Sequence, residues 1–206
     1  MSRLGVRYRL AAVSLAVAGS VVVLSGCSGS DAAQSQSETV SLSPSPSATY
    51  KPASAEGPAE NVPLPVMPEE AKVESKEGLI AFARYWYELA NYGYETGDVE
   101  PLRAVSGPDC FACGSYYSTV DSGYQQGWIS GGIIEALDFQ STFAETDTGR
   151  VQVLTQFVQD PLDIYNPSGH VKTIQGNDLP SVQMMEAVHS DGQWAALDVV
   201  TIYESP

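Results

Sequence analysis

Three hydrophobic patterns succeed one another along this chain of 206 residues. Residues 10–24, LAAVSLAVAGSVVVL, form an apolar run rich in Ala, Ser and Gly. Residues 28–66 show no apolar period: Ser, Ala, Pro and Glu dominate, and Tyr50 is the one aromatic. From residue 67 onward the pattern is that of a folded domain. Leu79, Phe82, Ala83, Trp86, Leu89 and Ala90 recur at helical spacing and define one apolar face. Pro68-Glu69-Glu70 opens this helix with an acidic first turn, favoured by the helix dipole. Gly97 is its expected stop. Asp98 can cap a short second helix, VEPLRAV, which SGPD breaks, and Asp109 can cap a third beginning near Cys110.

The second half of the domain reads as strands. IIEALDFQSTFAE and RVQVLTQFVQ are rich in β-formers, and the TDTG between them predicts a hairpin. SVQMMEAVHS and QWAALDVVTIY flank Asp191-Gly192, the strongest short hairpin signal in the chain. Between the two pairs, DPLDIYNPSGHVKTIQGNDLP carries three prolines and two glycines and is expected as a long loop. No internal repeat is visible.

Helices first and antiparallel strands after predict a single α+β domain over residues 67–206, with the helices packed on one face of a curved antiparallel sheet. The segment LIAFARYWYELANYGYETGDVEPLRAVSGPDC resembles the opening of nuclear-transport-factor-2-like domains, also described as SnoaL-like or cystatin-like cones. In that family a long amphipathic helix ends in a Gly-Asp turn, and a short helix and a break follow. The resemblance implies a cone whose open sheet end forms a pocket. Such cones host enzymes, binders and assembly modules alike, so fold does not decide function.

The opening of the chain assigns an address. Arg3, Arg7 and Arg9 precede the apolar run, which is too short for a membrane span of ~20 residues and suits the core of a secretory signal peptide, residues 1–26. The run closes on Leu24-Ser25-Gly26-Cys27, which resembles a lipobox, the signal of bacterial lipoproteins. In that family the cysteine thiol takes a diacylglyceryl group and the leader is cut just before it. Carried over, Cys27 becomes the lipidated N-terminus, with membrane lipid as its partner and the extracytoplasmic face of the cell membrane as its location. Each buried acyl CH₂ contributes ~0.8 kcal/mol, so two or three chains hold where one would not. Residues 27–66 are then a disordered tether, with an end-to-end distance of ~35 Å. The whole arrangement is similar to a family of uncharacterised actinobacterial lipoproteins.

Charge narrows the partners. The chain carries 25 acidic and 10 basic residues, a formal net charge of −15. A leader ending at residue 26 would remove three of the arginines and no acid. This argues against nucleic acid, whose phosphates need basic patches, and against docking on anionic lipid through charge. An unknown ligand or a cell-envelope protein remains as the partner.

With Cys27 given to lipid, Cys110 and Cys113 are left as an even pair in an exported chain, which predicts a disulfide. The C-x-x-C spacing at a helix start also occurs in redox proteins. Here, however, the intervening pair is Phe-Ala and no strand-then-helix unit precedes it. A metal is not expected, because only the distant His170 and His189 could complete a zinc set; no cofactor motif is present. Tyr85, Trp86, Tyr116 and Trp128 are the candidate pocket residues, since rings with polar tips suit an amphipathic ligand. A cone-type isomerase would instead use a carboxylate facing a tyrosine across an apolar cavity. Asp138, Glu186, His189 and Asp198 all lie on expected strands, and nothing selects among them, so no catalytic residue is assigned. The leading expectation is a non-catalytic domain that binds a ligand or protein partner. The alternatives are a cone-type isomerase or hydrolase and, less favoured, a thiol–disulfide protein. A transporter's solute-binding protein would need two lobes, for which this domain is too small.

Replacing Cys27 with Ser should abolish incorporation of labelled fatty acid and release the protein from the membrane fraction. A Cys27→Ser protein that still labels and still sediments with membranes would refute the lipobox assignment.

Overall fold

The computed structural model describes residues 49–204. The leader, Cys27 and the first part of the expected tether lie outside them. Helices α1 (Lys76–Thr96), α2 (Glu100–Arg103) and α3 (Phe111–Gln126) precede seven strands: β1 (Trp128–Gly131), β2 (Ile134–Gln140), β3 (Val151–Gln159), β4 (Leu162–Asn166), β5 (Gly169–Ile174), β6 (Asn177–Ser190) and β7 (Gln193–Tyr203). The domain is α+β, as expected, with every strand pairing antiparallel.

All six residues of the expected apolar face of α1 are buried. The helix begins later than Pro68, however. Glu69–Lys72 form a separate 3₁₀ turn, and Ser75 starts α1 by accepting a hydrogen bond from the Gly78 N–H. A hydroxyl at that position satisfies a backbone donor that the first turn cannot. Gly97, with φ of +79°, ends the helix where predicted. Helix α3 lies on α1 through tyrosines. The Tyr116 hydroxyl donates to the Ala90 carbonyl at 2.7 Å, and Tyr124 donates to the Tyr94 carbonyl at 3.0 Å. Gly93 makes the approach possible, since a Cβ there would stand 2.0 Å from the Tyr116 hydroxyl oxygen.

The single curved sheet expected from the pattern is instead two sheets, ordered β2-β3-β6-β7 and β1-β4-β5. The chains β1–β2 and β3–β4 run side by side through a break. Gly131 and Gly132 both take positive φ, and opposite them Pro161 has no N–H to donate. Two bonds still bridge the break, Gly132 N–H to Pro161 O and Asp160 N–H to Ile133 O, each at 3.0 Å. The ladder is therefore bent sharply rather than ended.

The segment expected as a long loop supplies β4 and β5. Leu162 and Ile164 alternate with polar residues and are buried, while Pro161 and Pro167 fall outside the strands. The period of two was present but spans only three residues beside the prolines. The expected hairpin at Asp191-Gly192 joins β6 to β7, with both residues at positive φ as a type I′ turn requires. Phe82, Leu89, Val120, Val153, Met185 and Val199, from α1, α3, β3, β6 and β7, are fully buried in one core. Burying each such side chain contributes ~1.5–3 kcal/mol.

Regular structure also begins earlier than the expected domain start at residue 67. Residues 51–60 fold back on themselves, with Lys51 and Glu60 exchanging both backbone hydrogen bonds and Ser54 and Gly57 doing the same. This small hairpin is held to the domain from three sides. The Trp128 indole donates to the Ser54 carbonyl at 2.7 Å, Ser130 donates to the Ala53 carbonyl at 3.1 Å, and the Tyr50 hydroxyl donates to the Glu95 carboxylate. Composition marked this segment as unable to bury apolar area. It is secured instead by hydrogen bonds to groups far away in sequence.

Limited proteolysis of the native chain should leave a core beginning near residue 48 rather than 67. Trp128→Phe keeps an aromatic ring and removes the indole N–H, and it should open residues 51–60 to cleavage while the remainder resists. An unchanged digestion pattern in that variant would show that the indole bond does not hold the hairpin.

Candidate functional site

Helices α1 and α3 and the inward faces of β3, β6 and β7 enclose an open cleft of about 870 Å³. Trp86, Ala90 and Tyr94 line it from α1, and Phe111, Ser115, Tyr116 and Thr119 from α3. The facing wall carries Phe157, Gln159, Gln183 and Thr201, joined by Gln175 from the connection between β5 and β6 and by Asn177, the first residue of β6. The positions on the sheet follow from the alternation of a strand: Ser181 and Gln183 share a face with the buried Met185 and Ala187 of β6.

The polar groups of the cleft form a network. Tyr87 donates to Gln183 Oε1 at 2.8 Å, and the Gln183 amide donates to the Thr201 hydroxyl at 3.2 Å. The Trp86 indole donates to the Ser106 hydroxyl at 2.9 Å. Gln159 donates to the Gly132 carbonyl, and Asn177 donates to the carbonyls of Phe157 and Leu179 and to Ser181. Burial pushes the phenols of Tyr94 and Tyr116 up from their ordinary value, so both are neutral hydrogen-bonding groups at physiological pH. Among the described residues that line the cleft, Glu204 at its rim is the one carboxylate, and none is Lys, Arg, His or Cys.

Of the four expected pocket residues, the cleft gathers Trp86 and Tyr116. Tyr85 is half-buried beside the core and does not line it. Trp128 belongs to the other sheet, where its ring stacks on Tyr165 at 5.8 Å and its N–H holds the N-terminal hairpin. Helical spacing turns Tyr85 about 100° from Trp86, which carries it to the edge of the buried face and out of the cleft. The amides were missed because Gln and Asn are unremarkable in a strand. Their signal lies in phase: Gln183 occupies an inward position of β6.

Cys110 and Cys113 are joined by a disulfide, with Cα atoms 5.2 Å apart, and both are buried. Cys110 occupies the N-cap of α3, so Asp109 does not cap it. The Phe111 N–H instead donates to Asp198 Oδ1 at 3.0 Å, across from β7. Asp198 also accepts from its neighbour Val199 at 2.9 Å. The other acid–base candidates are likewise in structural contacts. Glu186 receives Arg150 and Gln152 at 2.8 and 2.9 Å, and the hydrogen bonds from Gln152 and then Arg150 lower its pKa. Asp138 accepts from Gln140, and His189 bonds the Lys72 carbonyl and faces Glu74. None of the four lines the cleft. A smaller cavity of about 500 Å³ lies under the N-terminal hairpin, between Tyr50, Pro52, Asn91 and Glu95.

A family of unknown function, DUF6318, matches residues 48–200, nearly the whole described domain including its N-terminal hairpin. No curated protein matches the sequence. Two solved structures are similar at low identity. The intermembrane space region of chloroplast protein ARC6 is 11% identical with a TM-score of 0.43, covering 64% of this chain and 99% of its own. An uncharacterized protein with a cystatin-like fold from Caulobacter vibrioides is 11% identical with a TM-score of 0.40, covering 60% of this chain and 88% of its own.

If Asp198 acts as the cap of α3, Asp198→Ala should destabilise the domain by about 1–2 kcal/mol in chemical denaturation, and Asp198→Asn by less, since the amide oxygen still accepts. Equal losses for both variants would mean that something other than the hydrogen bond to Phe111 is at work.

Proposed function

We propose, for a chain that belongs to the family of unknown function DUF6318, that it is a membrane-anchored extracytoplasmic lipoprotein of actinobacterial type whose domain binds a ligand or a cell-envelope partner without transforming it. Acylated Cys27 is the anchor in this reading, and the described domain is a nuclear-transport-factor-2-like cone. The observation that carries the reading is the cleft, about 870 Å³ between α1, α3 and the four-stranded sheet. Its volume lies in the range of small-ligand sites. Its walls supply rings, hydroxyls and amides, which orient a bound molecule. They do not supply the pair of groups with separated pKa values that acid–base chemistry requires. The carboxylates weighed for that role are held elsewhere by hydrogen bonds that a catalytic cycle would have to break.

A photo-crosslinking residue at Ser115, on the cleft lip, should capture a small molecule or protein from intact membranes, identifiable by mass spectrometry. The same group at Glu135, on a solvent-facing position of β2, should not. Repeated recovery of bare protein from the Ser115 position would count decisively against a binding cleft.

A further inference from the structure

We infer that the cleft accepts an uncharged carbohydrate chain, with Phe111 as the ring on which a sugar stacks at its mouth. This rests on the binding reading above and adds the chemical class of the ligand.

Charge excludes most other small ligands. The protein is strongly acidic, with a formal net charge of −15, and the cleft contains no cation to draw an anionic ligand through that field. A cationic ligand would meet one carboxylate, Glu204, at the rim, and no described residue deeper in the cleft to neutralise its charge. A neutral molecule is left.

The hydrogen-bonding groups decide between apolar and polar neutral ligands. Thr201 accepts from Gln183, so its own hydroxyl hydrogen remains to be given. Asn177 spends its amide nitrogen on Phe157, Leu179 and Ser181, which leaves Oδ1 to accept. Ser115 and Gln175 each add a donor and an acceptor at the lip. Both donors and acceptors are thus present among the residues lining the cleft. A hydrocarbon chain would strip water from these groups and return nothing, whereas sugar hydroxyls both give and accept.

Phe111 supplies the third element. It is 74% exposed and yet lies on the cleft lip. Its backbone is fixed from both sides, by the disulfide between its neighbours Cys110 and Cys113 and by the bond from its own N–H to Asp198. An apolar ring presented to solvent at a cavity mouth loses exposed apolar surface when a ligand covers it. The electron-rich face of the ring attracts the weakly positive C–H face of a sugar.

The test uses the full chain in a zwitterionic detergent, with calorimetry and saturation-transfer NMR. The probes are cellohexaose, an α-1,6-mannohexaose, a hyaluronan hexasaccharide, the neutral peptide (Gly-Ser)₄ and decanoate. At least one neutral hexasaccharide should bind, and hyaluronan should not. Phe111→Ala should weaken that binding at least tenfold and Phe111→Trp should retain it, with both variants melting like the parent because the ring is exposed. Binding of the peptide or decanoate alone, with the same dependence on Phe111, would overturn the carbohydrate assignment and leave the binding cleft standing. Silence from every probe, together with successful capture from Ser115, would do the same. Silence from every probe together with failed capture would remove both readings.

Discussion

The contact on which the architecture turns is the seating of Tyr116 over Gly93. Its hydroxyl reaches the Ala90 carbonyl at 2.7 Å because position 93 has no side chain. Tyr94 lies edge-on to the same ring at 4.9 Å, and Tyr117 at 5.6 Å. This interface fixes the distance between α1 and α3 and therefore the spacing of one whole wall of the cleft. A larger residue at 93 would displace Tyr116, and the displacement would reach the cleft mouth through the rigid helix.

The opposite wall is set by strand phase and by a bend. Gly131, Gly132 and Pro161 interrupt the ladder while two backbone bonds carry across it. The four-stranded sheet faces the helices along the cleft, while Ile129 of β1 and Ile164 of β4 pack against α3 at Gly123. Trp128, on the diverted strand, is committed to the N-terminal hairpin and to Tyr165. One covalent ribbon thus serves two surfaces: one lines the cleft and the other holds the point where the chain enters the domain.

Charged groups in this protein are used to complete the backbone and pair across strands more than to create reactivity. Asp198 serves the exposed N–H of α3, a donor left over by helix geometry. Glu186 accepts from Gln152 and Arg150 on the sheet's outer face, and the lowered pKa reports those hydrogen bonds. A lowered folded-state pKa stabilises the domain above the ordinary carboxylate range, and that support fades as the pH falls through it. Among the described residues that line the cleft, Glu204 is the one charged side chain.

The sequence by itself determined what depends on neighbours along the chain. The apolar face of α1, the Gly97 stop and the turn at Asp191-Gly192 were legible because helix period, left-handed caps and type I′ turns are local requirements. The cysteine pair was legible from spacing and count. Tertiary structure decided what depends on partners distant in sequence. Ser54 meets Trp128, Phe111 meets Asp198, and Gly93 meets Tyr116 across separations no local pattern encodes. The split into two sheets, the burial of β4 within an expected loop and the loss of Tyr85 and Trp128 from the cleft share this origin. A side chain's neighbours are chosen by whole elements packing to exclude water, and only the folded chain brings those elements together.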